Sequence, residues 1–335
     1  MHQTVLVTGG AGFIGSNFVR LLLETRPGLR IVNLDCLSYS GNLDNLEGLP
    51  ADRHRFVHGD ITDPVLVNRL IRECDAVVHF AAESHVDRSI CDAGPFIRSN
   101  VVGTQVLLDA LLSAKRDGLN RRFVHVSTDE VYGSLPLERP DLSFSETSPL
   151  DPKSPYAASK ACSDLLCLAY EHTHKLDILV TRCSNNHGPR QFPEKVIPLF
   201  VTNLMRGIPV PLYGDGLNVR DWLHVDDHGT AVLAVLERGR TGEVYNVGGS
   251  NERSNLELTK SILALMGKDE SMIKHVPDRL GHDRRYSVNS TKLQNELGWR
   301  PVKSAWPAAL ESTIRWYHDN RTWWERVLSG AYRRS

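Results

Sequence analysis

The 335-residue chain reads as an α/β protein, a doubly wound parallel sheet followed by a smaller C-terminal lobe. Short apolar runs alternate with helical stretches through the first half, a glycine-spaced turn joins the first run to the first helix, and the alternation fades near residue 185. In order, Thr4–Thr8, Ile31–Leu34, Arg55–Val57, Ala76–Phe80, Phe123–Ser127 and Ile178–Thr181 are predicted strands, each bounded by polar or glycine residues. Helices are predicted over Phe13–Glu24, Pro64–Glu73, Phe96–Ser113 and Tyr156–His172. Parallel strands need crossover connections, and these helices supply them. Beyond residue 185 Gly and Pro punctuate shorter elements: an amphipathic stretch Val196–Arg206, a helix after His224, a strand near Val244–Val247, and helices near Leu256–Met266 and Ala305–His318. This gives an expected division into 1–185 and 186–330, with the chain free to cross back to the sheet. Tyr332-Arg333-Arg334-Ser335 is expected to fray.

Composition narrows the function classes. With 41% hydrophobic residues the chain can bury a large core. Lys plus Arg number 39 against 40 for Asp plus Glu, so no global field draws nucleic acid or an anionic membrane, and an anionic ligand must be held by local charge. Cys36, Cys74, Cys91, Cys162, Cys167 and Cys183 form no C-x-x-C pair and no metal-ligand spacing, which suits packing residues of a reduced cytoplasmic protein. No apolar run approaches a membrane-spanning length. His172 and His174 are two apart on a helix and diverge by about 200°, so no metal is assigned.

Gly9, Gly12 and Gly15 follow the first strand and open the first helix. Their tasks in a Rossmann-type turn are a tight bend, close backbone approach to a pyrophosphate and close helix–strand packing, with the pyrophosphate over the helix N-terminus. Asp35 ends the second strand twenty residues after Gly15, where a carboxylate accepts from ribose hydroxyls. Cys36 and Leu37 follow it, with no Arg for a 2′-phosphate, which favours NAD over NADP. Asp60-Ile61 would bracket the adenine, although Asp60 could equally cap the helix that Thr62-Asp63-Pro64 begins. Phe80-Ala81-Ala82 would line the cofactor.

Tyr156 and Lys160 lie four apart at the start of a helix and share a face. A Lys ammonium beside a phenol, with a positive nicotinamide nearby, favours the phenolate and lowers a reference pKa of about 10. At the carboxyl edge of the fifth strand, Thr128 precedes two adjacent carboxylates, Asp129 and Glu130, for which a solvated turn is the bland alternative.

Together Gly9–Gly15, Ala81–Ser89, Thr128–Gly133 and Tyr156–Lys160 resemble the dTDP-glucose 4,6-dehydratases of the extended short-chain dehydrogenase/reductase superfamily. The similarity continues through Ser184–Asn186, Phe192–Pro198, Arg220–Leu223 and Gly281–Tyr286, nearly the whole chain. The Gly-rich and Tyr/Lys motifs are shared across the superfamily, whereas Asp129-Glu130 and the Glu83–Ser89 run are more specific to sugar-nucleotide dehydratases. The resemblance implies that Tyr156 takes the hexose 4-hydroxyl proton while NAD takes the carbon 4 hydride, with Thr128 bonded to the same oxygen. Glu130 would then remove the carbon 5 proton, Asp129 protonate the leaving carbon 6 hydroxyl, and the hydride return to carbon 6, as expected of a lyase of deoxysugar biosynthesis. The resemblance also implies cofactor contacts from Phe13, Ile14, Ser38, Ser84, Ser99, Lys160 and Asn186. It implies nucleotide-sugar contacts from Ser84, Thr128, Asn185, Lys195, Pro211, Tyr213, Arg220, Asn255, Arg279 and His282, and a homodimer through the helices near Phe96–Ser113 and Tyr156–His172. Residues 1–185 would then be the NAD-binding part and 186–330 mainly the nucleotide-sugar lobe. For Arg220 an ion pair with Asp221 or Asp226 is the alternative.

Three sites depart from the pattern. His187 stands where the family commonly has Tyr, Leu280 replaces a Pro, and Cys91-Asp92-Ala93 differs locally. A nucleotide-sugar 4-epimerase would share the fold, NAD, Tyr156 and Lys160 but needs no acid–base pair for losing water. A non-catalytic NAD-dependent sensor is a second rival, and the complete set of proton-transfer residues argues against it. Thymidine and uridine nucleotides would use similar phosphate contacts, so the base stays open here.

Overall fold

The computed structural model describes residues 2–278 and 281–334. Its first half runs β1 (Thr4–Thr8), α1 (Phe13–Thr25), β2 (Arg30–Asp35), β3 (His54–His58), α2 (Pro64–Glu73), β4 (Ala76–His79), α3 (Val86–Cys91) and α4 (Gly94–Phe96). A π-helical segment (Ile97–Val102) leads into α5 (Gly103–Arg116), then β5 (Arg122–Thr128), a 3-10 turn (Asp129–Tyr132), α6 (Pro155–His174) and β6 (Ile178–Cys183). The second half runs β7 (Asn185–His187), α7 (Val196–Met205), β8 (Val210–Tyr213), β9 (Val219–His224), α8 (Val225–Arg238), β10 (Val244–Val247), β11 (Glu252–Ser254) and α9 (Asn255–Leu265). It continues with β12 (Ile273–Val276), α10 (Thr291–Leu297), α11 (Ala308–Asp319) and α12 (Arg321–Ser329).

Seven strands pair in the order β10-β6-β5-β4-β1-β2-β3, and every pairing is parallel. The order reverses between β1 and β4, and such a sheet binds its ligand outside the carboxyl ends of its strands at that reversal. The chain does return to the sheet from its second half, since Val244–Val247 pairs with Val180–Cys183. Alternation along β1 sends Val5 and Val7 into a core with Phe18, Leu22, Val232 and Val235, while Leu6 faces Leu70, Leu107 and Leu111 on the other side. A separate core of Phe200, Val201, Trp222, Ile262, Leu310, Tyr317 and Trp324 holds the C-terminal lobe.

Local chemistry fixes the helix starts. The Asp63 side chain accepts from the N–H groups of Val65 and Leu66 with Pro64 beside it, and Ser154 accepts from Ala157 ahead of Pro155. Asp60 is thus not the cap of α2; its Oδ1 accepts from Thr62 N at 2.8 Å in a turn of its own.

Three expectations are corrected. The continuous helix over Phe96–Ser113 is interrupted by the π-helical segment, which aims the buried Asn100 at the loop after β4: its Oδ1 accepts from Glu83 N (2.9 Å), and its Nδ2 donates to Glu83 O and Ser159 Oγ. Residues 331–334 form a 3-10 turn rather than a frayed end, because the buried Tyr332 ring packs edge-on to Phe192 and its hydroxyl donates to Tyr39 O. Cys36 and Cys91 are exposed, so only part of the cysteine set packs the interior. His174 packs edge-on against the Tyr170 ring at 5.4 Å.

Candidate active site

One continuous cavity runs along the carboxyl edge of the sheet across the β1/β4 reversal. Gly9, Gly12, Phe13, Ile14 and Gly15 form its floor, Asp35, Ser38, Asp60 and Ile61 line one end, and Phe80, Ala81, Ala82, Ser84 and Ser99 line the wall. Thr128, Glu130, Tyr156, Lys160, Asn185, Asn186 and Lys195 surround the other end. Gly9 and Gly15 leave no room for side chains. A Cβ on Gly9, whose φ is +74°, would stand 2.6 Å from Ala81 N, and one on Gly15 would stand 2.2 Å from Gly9 O. The α1 N-terminus therefore meets the cavity as bare backbone, which suits a pyrophosphate.

Asp35 is held at the cavity wall by two N–H groups, Ala11 to Oδ2 (2.9 Å) and Leu37 to Oδ1 (2.8 Å). Burial raises its pKa and those two hydrogen bonds oppose the rise. The arrangement fits the adenosine ribose of NAD. Exchanging Asp35 for Ala is expected to weaken NAD and narrow its margin over NADP, because a ribose partner and a repulsive charge vanish together. Titration with both cofactors checks this, and an unchanged NAD/NADP ratio would refute it.

At the catalytic end, Tyr156 N donates to Ser89 Oγ at 3.1 Å, and its ring meets the edge of Phe96. Burial pushes the Tyr156 phenol well above its ordinary pKa and nearby Glu130 adds to the rise, while a hydrogen bond with Thr128 opposes it. In the protein alone the phenol is thus raised, where Lys160 and the nicotinamide together are expected to lower it. The Lys160 ammonium donates to Val126 O at 2.8 Å, and its own pKa is lowered by burial.

Asp129 is buried rather than part of a solvated turn, at 1% exposure. The Thr128 hydroxyl caps this turn, accepting from Glu130 N at 3.3 Å. Burial, then Glu130, then Asp221 drive the Asp129 pKa well above the carboxylate range, and Arg220 pulls it back. Its Oδ2 has no hydrogen bond among the described residues. Asp129 thus sits next to the cavity beside a second carboxyl, its pKa raised, without lining the cavity itself.

Of the remaining expected substrate residues, Pro211, Tyr213, Arg220, Asn255 and His282 lie off the cavity wall. Arg220 is buried, donates to Asp283 O (2.9 Å) and stacks over the Tyr286 ring. Asp221 accepts from the N–H groups of Gly249 and Asn251, and Asp226 lies beside His224. Asn255 opens α9, Pro211 and Tyr213 lie on β8, and His282 Nδ1 is 2.6 Å from Asp278 Oδ1. Arg279 and Leu280 lie outside the described residues. His187 faces away from the cavity: Thr313 spends its hydroxyl proton on Ala309 O, so His187 Nδ1 donates to Thr313 Oγ1 (2.9 Å), and burial lowers its pKa to about 3. Sequence reasoning missed Tyr39, Arg98, Ser127, Cys183 and Gln191 on the wall. Of these only Ser127, the last residue of a predicted strand, and Cys183, two residues beyond one, carried a positional signal.

The family model described as GDP-mannose 4,6 dehydratase matches residues 6–306. The chain is 54% identical to a dTDP-glucose 4,6-dehydratase from Streptomyces niveus over 330 residues, which are 97% of this chain and 96% of that one. The chain belongs to the dTDP-glucose 4,6-dehydratase family. Its structure is similar to that of DesIV, the dTDP-glucose 4,6-dehydratase of Streptomyces venezuelae solved with NAD and TYD bound, with TM-score 0.92 and 53% identity over 97% of this chain and 99% of that one. It is also similar to the UDP-glucose 4-epimerase of Thermus thermophilus in complex with NAD, with TM-score 0.84 and 32% identity over 95% and 99% of the two chains. The fold alone does not separate a dehydratase of this family from an epimerase, so the residues after Thr128 must.

Proposed function

We propose that this chain is an NAD-dependent hydro-lyase that converts dTDP-glucose to the 4-keto-6-deoxy sugar. The observation that carries the reading is the buried Asp129 carboxyl directly beside Glu130, which lines the same end of the cavity as Tyr156. An epimerase has no use for that pair. NAD held along this cavity would supply the hydride acceptor for carbon 4 and the hydride donor for carbon 6.

The chain's own residues move the protons. Tyr156 takes the proton from the 4-hydroxyl, with Thr128 on the same oxygen. Lys160 lies one turn further along the same helix face. The ketone acidifies carbon 5, Glu130 removes that proton, Asp129 gives its own to the departing carbon 6 hydroxyl, and Glu130 returns a proton to carbon 5 once carbon 6 has regained its hydride. Gly9, Gly12, Phe13, Ile14, Gly15, Asp35, Ser38, Asp60, Ile61, Phe80, Ala81, Ala82, Ser84, Ser99 and Asn186 bind the cofactor in this reading. Ser84, Asn185, Lys195, Pro211, Tyr213, Arg220, Asn255, Arg279 and His282 hold the nucleotide and diphosphate. Residues 1–185 chiefly serve NAD and 186–330 the nucleotide sugar.

The protein acts in the cytoplasm in this proposal, in keeping with its free cysteines; among the described residues no helix is long and apolar enough to cross a membrane. A homodimer through the helical segments at 94–116 and 155–174 would cover Ile97, Val102 and Leu165, which are exposed there.

Incubation with dTDP-glucose, UDP-glucose and other nucleotide-glucose compounds tests the reading. A 4-keto-6-deoxy product, fastest from dTDP-glucose, is expected. A nucleotide-galactose product would establish the epimerase reading instead.

A further inference from the structure

Helix α6 sets Tyr156, Lys160 and Asp164 four residues apart, one turn after another along its buried side. Asp164 does not line the cavity. Its Oδ2 accepts from Arg182 Nε at 2.8 Å, and its Oδ1 lies 3.3 Å from His125 Nε2, which is itself 3.5 Å from Lys160 Nζ. Arg182, on β6, has a second arm: Nη1 donates to Tyr132 Oη at 2.9 Å. Tyr132 passes its own proton to Asn246 Oδ1 (2.8 Å) on β10 and stacks its ring on Phe144 at 5.0 Å. Tyr132 closes the 3-10 turn that carries Asp129 and Glu130. From Lys160 through His125, Asp164, Arg182 and Tyr132 to Asn246, no member is more than 3% exposed.

We propose that Asp164, Arg182 and Tyr132 form a positioning strut that fixes the elimination pair, Asp129 and Glu130, against the oxidation pair, Tyr156 and Lys160. The inference rests on the dehydratase reading. That reading requires one hexose to be oxidised at carbon 4 and then deprotonated at carbon 5 without moving, so the distance between two sets of side chains on two separate elements has to be held. A misplacement of about 1 Å costs on the order of a hundredfold in rate. A planar guanidinium suits the task because its donors leave at fixed angles, so one arm can grip the helix and the other the turn; an ammonium is a point charge and cannot do both. Packed apolar residues would hold the fold equally well. They would not fix that separation through directional bonds. None of the three residues reaches the cavity, so their effect passes through the groups they hold.

Tyr132→Phe keeps the ring stack and removes only the hydroxyl link, and Arg182→Lys keeps a charge opposite Asp164 and loses the second arm. Each variant, loaded with NAD and mixed with dTDP-glucose in a stopped flow, is expected to reduce NAD within about threefold of the wild-type rate. Formation of the keto-deoxy product should fall by about a hundredfold, and NADH should accumulate at steady state. The double variant should lose little more than the worse single one, because both cut the same connection. Equal losses in NAD reduction and product formation, as general loosening would give, overturn the strut, and so does wild-type product formation in both variants. Wild-type protein run alongside separates the two levels: no keto product from it overturns the dehydratase reading and the strut with it, whereas normal wild-type turnover with unaffected variants overturns the strut alone.

Discussion

Replacing Tyr156 by Phe is expected to leave dTDP-glucose binding close to normal and to lower turnover by about a hundred- to ten-thousand-fold, the usual range for a general acid–base group. Only the phenolic oxygen is lost. The contact of Tyr156 N with Ser89 Oγ uses backbone, and a Phe ring can still meet the edge of Phe96, so the cavity wall should survive the change. Because burial and Glu130 push this phenol up, the protein alone keeps it protonated, and the positive nicotinamide ring has to bring it within working range. Single-turnover reduction of NAD should therefore fall as far as the steady-state rate, since oxidation is the first step. Activity within a few-fold of wild type would assign the base to another group.

The second large effect separates the carboxyls. Glu130→Gln keeps the shape but removes the base for carbon 5. With dTDP-glucose this variant should still reduce NAD, while product formation and deuterium uptake at carbon 5 from heavy water fall by about a hundredfold or more. Asp129→Asn should instead slow departure of the carbon 6 hydroxyl, because the proton held there by burial is gone. A substrate with fluoride at carbon 6 needs less help from an acid and should recover part of that loss. Wild-type deuterium uptake in the Glu130 variant would sink the first assignment, and fluoride recovery no greater than in wild type would sink the second. If neither change affected elimination, the epimerase reading would replace the dehydratase one.

The large sheet was legible because each of its strands is a short apolar run with clear punctuation, so the six predicted in the first half lie within two residues of the observed ends. The strands β7 (Asn185–His187) and β11 (Glu252–Ser254) were not legible. They are polar three-residue segments whose pairing is set by β9, far away in sequence for β11 and across α7 for β7. The cofactor floor could be read from Gly9 to Gly15 because one contiguous turn builds it. Arg98 and Tyr39 could not, since a π-helical segment and the loop after β2 bring them to the wall. The burial of Asp129 was hidden for a related reason. Its neighbours Thr128 and Glu130 look like a surface turn, and the charges that act on it come from Arg220 and Asp221 on β9, about ninety residues on, which only the tertiary fold brings near.

The far end of the chain reaches back to the loop after β2. Trp323 Nε1 donates to Asn45 Oδ1 (3.0 Å), Arg326 Nε donates to Asp44 Oδ2 (2.9 Å), and Tyr332 donates to Tyr39 O, closing loops of 278, 282 and 293 residues. A chain made from its N-terminus can pair β1, β2 and β4 early. The loop that flanks Asp35 gains these partners only after nearly all of the polypeptide has left the ribosome. The loop beside Asp35 therefore takes its last partners from the end of the chain, and a nascent chain that lacks residues 321–334 should hold its dinucleotide more weakly than the full chain does.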